Sequence, residues 1–240
     1  MARDKRRIAQ NRAKKKARIA ARKKQRQQKG GGSGRLAHMG CTCAELERSP
    51  VHAAYVGDAL FSEGMGYVII ARKLPDGRIA TAQFLIDSYC LGVKNAFLTV
   101  VSPFAFDDLI ETSSLVSPLR EVTAPYARKL IEDAIAYARD LGFSPHHDSR
   151  EASIILGDID SAECSQTFTF GHKGKPLYIS GPNDSESFAR RIIGQLTRRC
   201  GPGGSHFDIV EADEFLMEET EDEDDYDPLP LSVHDGGTST

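Results

Sequence analysis

Charge is segregated along this chain, and the segregation limits how much of it can form a folded core. Residues 1–29 hold fourteen Lys or Arg and one acid, Asp4, whereas residues 211–240 hold twelve Asp or Glu and no base. Residues 30–210 keep 17 bases and 21 acids, which is close to neutral. Blocks of like charge are typically solvated interaction segments. The sequence therefore predicts one folded unit between two charged ends.

Four segments follow from this pattern. A basic arm, 1–29, precedes a linker, 30–48, which opens with the flexible run GGGSG. A globular domain, 49–210, has a length of about 160 residues, which suits a single core. An acidic tail, 211–240, is expected to be disordered because it is rich in charge and poor in apolar residues.

Composition also indicates in which cellular compartment the protein works. The five cysteines are odd in number and form no disulfide framework, which favours a reducing environment. No run approaches the roughly 20 apolar residues that a membrane-spanning helix needs, and the N-terminus has no secretory pattern. We expect a cytoplasmic protein.

Two hairpins are predicted within the domain. Residues 67–73 and 78–86 flank Pro75-Asp76-Gly77, in which Pro presets one φ angle and Gly accepts a positive one. A second hairpin is expected where 167–170 meets 176–180 across the loop 171–175, with Pro176 favouring an edge strand. Residues 207–210 are a candidate last strand.

Helices are predicted at 126–141 and 186–200 from apolar residues at three- and four-residue spacing. A shorter helix is expected at 104–113, after Ser102-Pro103. Thr123 is the expected cap of the helix 126–141, and Asp184 or Ser185 the expected cap of the helix 186–200. Hairpins and helices without strict alternation indicate an α+β fold, with small antiparallel hairpins packed against three to four helices and disordered charged tails.

Three segments carry a resemblance to a known group of proteins. They are FLIDSYCLGVKNAF at 84–97, FTFG at 168–171 and GKPLYISGP at 174–182. Together they resemble a family of bacterial proteins that has no assigned activity, and the similarity covers roughly residues 49–182. The resemblance implies a bacterial origin and a natural order of arm and domain, and it implies no catalytic role.

The basic arm has the composition of a nucleic-acid-binding segment. Its Ala, Lys, Arg and Gln residues favour a helix, but like charges oppose one in free solution, so we expect order only on binding. A phosphate backbone would release counterions to such an arm. Aromatic residues are missing, which predicts sequence-tolerant binding. The predicted contact residues are Arg6, Arg7, Arg12, Lys14, Lys15, Lys16, Arg18, Arg22, Lys23, Lys24 and Arg26.

Alternatives remain for both charged ends. The arm also fits an acidic membrane surface or a segment that only aids solubility. The acidic tail fits an intramolecular partner that pairs with the arm and competes with phosphates, or again a solubilising segment.

Asp87, Cys90 and Lys94 are the candidate catalytic residues, because an acid, a thiol and an amine within eight residues could activate a nucleophile. The alternative is that Cys90 is a small buried apolar residue.

His146 and His147 are candidate metal ligands, with Asp148, Asp158 and Asp160 nearby. Adjacent side chains diverge on a helix or strand, however, and the spacing of known zinc sites is missing. The sequence therefore predicts neither metal nor cofactor, and a helix cap by Asp148 or Ser149 accounts for the segment.

The loop 171–176 holds two glycines and two lysines but departs from the phosphate-binding loop pattern. It is predicted to be a turn whose Lys173 and Lys175 add contacts to nucleic acid.

The sequence thus favours a non-catalytic protein that associates with RNA or a ribonucleoprotein through its arm. The alternative is an enzyme, a hydrolase or transferase, that uses the Asp87 or His146 region.

Overall fold

The computed structural model describes residues 39–181 and 184–208. The basic arm, the first part of the linker and the acidic tail lie outside the described residues, so the predictions about them keep that status. The chain divides into two units, Met1–Ala44 and Glu45–Thr240. Of the first unit, the structure describes a turn and the start of helix α1, Cys43–Arg48. This helix lies within the segment 30–48 that the sequence predicts as linker.

Five antiparallel strands form the main sheet of the second unit, in the order β4-β3-β2-β1-β5. They are β1 Val51–Gly57, β2 Met65–Lys73, β3 Ile79–Asp87, β4 Gly92–Val101 and β5 Leu119–Glu121. The predicted α+β class is confirmed, although the sheet is larger than two small hairpins.

The predicted first hairpin is confirmed, because β2 and β3 pair along their whole length. Gly77 has a φ of 86°, and its backbone N–H donates to the Leu74 carbonyl at 3.0 Å. The Asp76 carboxylate accepts from the Arg78 backbone N–H at 3.0 Å. The turn therefore has the positive φ angle at Gly77 that the sequence predicts.

The described part of the second unit also contains five further helices, which lie between and after the strands in the chain. They are α2 Leu60–Glu63, α3 Pro103–Val116, α4 Ala124–Asp140, α5 Ser149–Ala152 and α6 Glu186–Cys200, with 3-10 turns at Ser153–Leu156 and Ser161–Glu163. The predicted helices α4 and α6 are confirmed, and α3 extends beyond the predicted 104–113. The Thr123 side chain caps α4 and the Ser185 side chain caps α6.

Both faces of the sheet carry helices. Ala71 and Arg72 are neighbours on β2 and so point to opposite faces. Phe106 of α3 packs against Ala71 on one face. On the other face, the Arg72 guanidinium donates to the Ile155 carbonyl, and Arg128 of α4 donates to carbonyls of the same loop. Helix α4 and residues 153–159 therefore cover the face opposite α3.

Helix α6 extends this second layer. It packs on the end of α4 and on the β3–β4 turn in a common core. The buried members of that core are Cys90, Leu91, Ala138, Leu141, Phe143, Tyr178, Phe188, Ala189, Ile192 and Leu196.

The predicted second hairpin is wrong. Only His172 and Lys175 bridge across the turn, and the backbone at 167–170 is not a strand. Instead, β6 Leu177–Ile179 pairs in parallel with β7 His206–Asp208. The Phe168 and Phe170 rings contact Tyr126 and Tyr137 of α4, so apolar packing on a helix replaces strand pairing.

Within residues 39–181 and 184–208, no helix has both the length and the apolar character that crossing a membrane would require.

Candidate functional site

The connection from β3 to β4 holds the three candidate catalytic residues. Asp87 ends β3, and its Oδ1 accepts hydrogen bonds from the backbone N–H groups of Tyr89 at 3.0 Å and Cys90 at 2.9 Å. Burial raises the pKa of the Asp87 carboxyl to about 6, although these hydrogen bonds and the charge of Lys94 act in the opposite direction. The buried carboxylate thus holds the backbone of the β3–β4 turn through hydrogen bonds.

Cys90 lies in the core beside this carboxyl. Its side chain is fully buried, and burial together with the charge of Asp87 raises the pKa of the thiol well above its ordinary value. A nucleophilic cysteine needs a lowered pKa and access to substrate. The geometry therefore favours the alternative that Cys90 is a small buried apolar residue.

Lys94 forms an ion pair on the same side of the turn. Its Nζ lies 3.5 Å from Oδ2 of Asp184, a carboxylate of which only 3% of the side chain is exposed. That oxygen also accepts from the Tyr178 hydroxyl and the Gly181 backbone N–H, each at 2.8 Å. Lys94 thus balances a buried negative charge and joins β4 to the segment before α6. Asp184, one of the two predicted caps of α6, serves this network instead.

His146, His147 and Asp148 lie on the loop between α4 and α5. One ligand atom from each of the three side chains lies within 4.8 Å of the others. The distance is 3.3 Å from His147 Nε2 to Asp148 Oδ1 and 3.9 Å from His146 Nδ1 to Asp148 Oδ2. The structure therefore brings together side chains that were expected to diverge.

Regular structure would have separated these three side chains, but the loop does not. The His146 backbone N–H donates to the Val93 carbonyl at 3.0 Å, which fixes the loop to β4. Asp148 occupies the cap position of α5, yet in the described part of the chain its side chain makes no capping hydrogen bond. The predicted cap by Asp148 is thus corrected.

Asp158 and Asp160, the other acids near this segment, have separate roles. Asp158 lies 2.9 Å from the Arg72 guanidinium, which lowers the pKa of its carboxyl. The Asp160 carboxylate accepts from the Ala162 backbone N–H at 2.9 Å and caps a 3-10 turn. Neither belongs to the histidine cluster.

A group of exposed cations, here called the basic surface, was only partly anticipated. Its members are Arg139, Lys173, Lys175, Arg198 and Arg199. Arg199 donates to the carbonyl of Asp140 at 2.5 Å, and Lys175 donates to the carbonyl of Gly203 at 2.9 Å. The ends of α4 and α6 and the turn 171–175 therefore lie close together.

Part of the basic surface has a signal in the sequence. Bases in the last turn of a helix are common because they complement its dipole, so Arg139, Arg198 and Arg199 have an ordinary structural role. Lys173 and Lys175 were anticipated as exposed cations of a turn. Only the fold brings the turn to the helix ends.

The predicted nucleic-acid contacts of the arm lie outside the described residues. Comparison of the chain with family models, with curated proteins and with solved structures finds no significant match.

Proposed function

We propose that this protein associates with RNA or a ribonucleoprotein particle through its basic arm, without catalysing a reaction. The single observation that carries the proposal is the density of positive charge, fourteen Lys or Arg against one acid in residues 1–29. A segment of this kind gains free energy when it replaces the condensed counterions of a phosphate backbone. The arm is the binding element in this proposal, and the domain is its carrier.

The composition of the arm indicates how it binds. Its cations contact phosphates, and phosphate contacts hold a protein on nucleic acid without reading the sequence. Since the arm has no aromatic residue, it cannot stack on bases in the manner of proteins that grip single strands. The proposal is therefore limited to sequence-tolerant binding.

The basic surface of the domain supports the proposal. Lys173 and Lys175 are exposed on a turn beside the exposed Arg198 and Arg199 at the end of α6. Phosphates bound by the arm would find a second set of cations there. The contribution is expected to be smaller than that of the arm, because Arg199 and Lys175 also bind backbone carbonyls.

The acidic tail adds a regulatory element to the proposal. Its twelve acids nearly cancel the net charge of the arm. A tail that pairs with the arm competes with phosphates, so weak nucleic-acid partners are rejected and strong ones retained.

Fluorescence anisotropy of a labelled single-stranded RNA at low salt tests both parts. The full chain is compared with a chain lacking 1–29, with one lacking 211–240, and with one whose arm Lys and Arg residues are replaced by Gln. We expect deletion or neutralisation of the arm to weaken binding by about 100-fold or more, because most phosphate contacts are lost. Deletion of the tail is expected to tighten it.

The Gln variant keeps the length of the arm and separates charge from chain length. Equal affinity of the full chain and the arm-deleted chain would end the proposal. An unchanged affinity after tail deletion would remove only the regulatory part.

A further inference from the structure

We propose that His146, His147 and Asp148 form a binding site for a divalent transition-metal ion of the Zn²⁺ type. The inference rests on the geometry of the loop between α4 and α5 and is independent of nucleic-acid binding. The sequence predicted no metal, because neighbouring side chains were expected to point apart.

The donor set identifies the class of ion. Two imidazole nitrogens and one carboxylate oxygen are ligands that Zn²⁺ and its neighbours in the transition series accept. Ca²⁺ and Mg²⁺ prefer sites made only of oxygen atoms, so the two histidines disfavour them. We therefore propose Zn²⁺ as the bound ion.

The distances between the donor atoms are near those of a zinc site. Two atoms that share a tetrahedral Zn²⁺ at about 2.1 Å lie about 3.4 Å apart. His147 Nε2 and Asp148 Oδ1 are already 3.3 Å apart, and His146 Nδ1 lies 3.9 Å from Asp148 Oδ2. The His147 side chain is 51% exposed and has room to adjust, whereas that of His146 is 13% exposed. The two distances end on different oxygens of Asp148, so the proposal requires side-chain rotation to bring all three donors to one ion.

Nδ1 of His146 is directed at Asp148, the third residue of the proposed site. The Asp148 backbone N–H donates to this nitrogen at 3.4 Å, which is a long and weak hydrogen bond.

The backbone of the loop is held in place without an ion. The His146 N–H donates to the Val93 carbonyl at 3.0 Å, and the His146 carbonyl accepts from Ser149 at 2.9 Å. The Asp148 carbonyl accepts from Ala152 at 3.0 Å. Since the segment is ordered beforehand, metal binding requires little further ordering of the chain.

The number of ligands suggests what the ion would do. Three protein ligands leave one position of a tetrahedral site for water or an oxygen-containing ligand, which is the arrangement of open zinc sites. The exposed side of His147 gives such a ligand access. The proposed site is therefore an open one rather than a closed structural one.

Competition with a chromophoric chelator for Zn²⁺ tests the proposal on the full chain, reduced and freed of metal. The variants are His147→Ala and Asp148→Asn, and the matched control is His206→Ala, which removes an exposed histidine on β7. We expect one tight equivalent of Zn²⁺ in the wild-type and control proteins. Affinity should fall by at least about tenfold in both site variants, because loss of a ligand is expected to cost no less than loss of an outer-shell group, which costs about 10- to 100-fold.

Misfolding of a variant and metal binding by cysteines are each checked by a separate measurement. Circular dichroism of each variant in the presence of a chelator checks the fold, and His147→Ala is the safer variant because its side chain is half exposed. The Co²⁺ spectrum distinguishes histidine and carboxylate ligands from thiolates, since the chain also has free cysteines. Failure of the wild type to bind Zn²⁺, equal binding by all four proteins, or a thiolate spectrum that persists in His147→Ala would overturn the proposal.

Discussion

At the scale of single residues, the interior of this domain depends on buried charges that are matched by specific partners. The Arg72 guanidinium is 1% exposed and donates to three backbone carbonyls and to Asp158. Asp87 is buried at the end of the adjacent strand and accepts from two backbone N–H groups. A buried charge without such partners would be strongly destabilising. Both residues thus hold loops against the sheet.

Asp87 makes the stability of the domain depend on pH. Its pKa is about 6 in the folded protein against 3.8 as the ordinary value. The folded state therefore binds more protons than the unfolded state between these values, so this group lowers stability as pH rises. The change between pH 4.5 and pH 7.5 is about 2 kcal/mol by proton linkage.

Asp87→Asn keeps an oxygen for the two backbone N–H groups and removes the ionisation. Urea unfolding at pH 4.5 and pH 7.5 should show that the variant gains about 2 kcal/mol relative to wild type as the pH rises. All other titrating groups act in both proteins and cancel in this comparison. A constant difference between the two proteins at both pH values would contradict the buried ionisation.

The burial of Cys90 could be predicted from the sequence, whereas the contact between His147 and Asp148 could not. The alternative of a buried Cys90 follows from its apolar neighbours, and the structure favours it. The approach of His147 and Asp148 did not follow from the sequence, because it depends on an irregular loop fixed by the Val93 carbonyl.

At the scale of elements, strong local signals were sufficient. The β2–β3 hairpin and helices α4 and α6 have turn and capping residues within their own sequences, and the structure confirms them. Strand β4 has no such local signal and was not predicted; its pairing with β3 includes a register shift between Leu85 and Ile86.

Pairings between distant segments were not predictable in the same way. The parallel pair of β6 and β7 joins residues on either side of α6. Sequence reasoning paired β6 with its neighbour 167–170, which instead packs aromatic rings on α4. The local sequence pattern of a short strand does not determine with which other strand it pairs.

The basic surface yields a prediction at this scale. The double variant Lys173→Glu and Lys175→Glu reverses two exposed charges on the turn 171–175. We expect RNA affinity at low salt to fall by about three- to tenfold, because phosphate contacts are replaced by repulsion. Anisotropy with the same RNA measures the effect.

Lys73→Glu is the control for this variant, since it changes an exposed lysine at the end of β2, outside the basic surface. An equal loss per charge in the control would mean that net charge alone is responsible. The basic surface would then have no special role.

At the scale of the whole molecule, the chain is a cation, a nearly neutral domain and an anion in series. The described part of the chain has a five-stranded sheet covered by helices on both faces and core clusters formed by the sheet and its helices. Cys90 is buried in one of these clusters, and Lys94 forms an ion pair with Asp184. In the proposed function, partner binding therefore belongs to the arm, and the domain is its folded carrier.

The salt dependence of RNA binding tests that assignment most directly. Each phosphate neutralised on a single strand contributes about −0.7 to the slope of log affinity against log salt concentration. We predict a slope steeper than about −4 for the full chain and about −1 for the chain without 1–29, because the deleted segment makes most of the phosphate contacts. Equal slopes for the two proteins would contradict the assignment of partner binding to the arm.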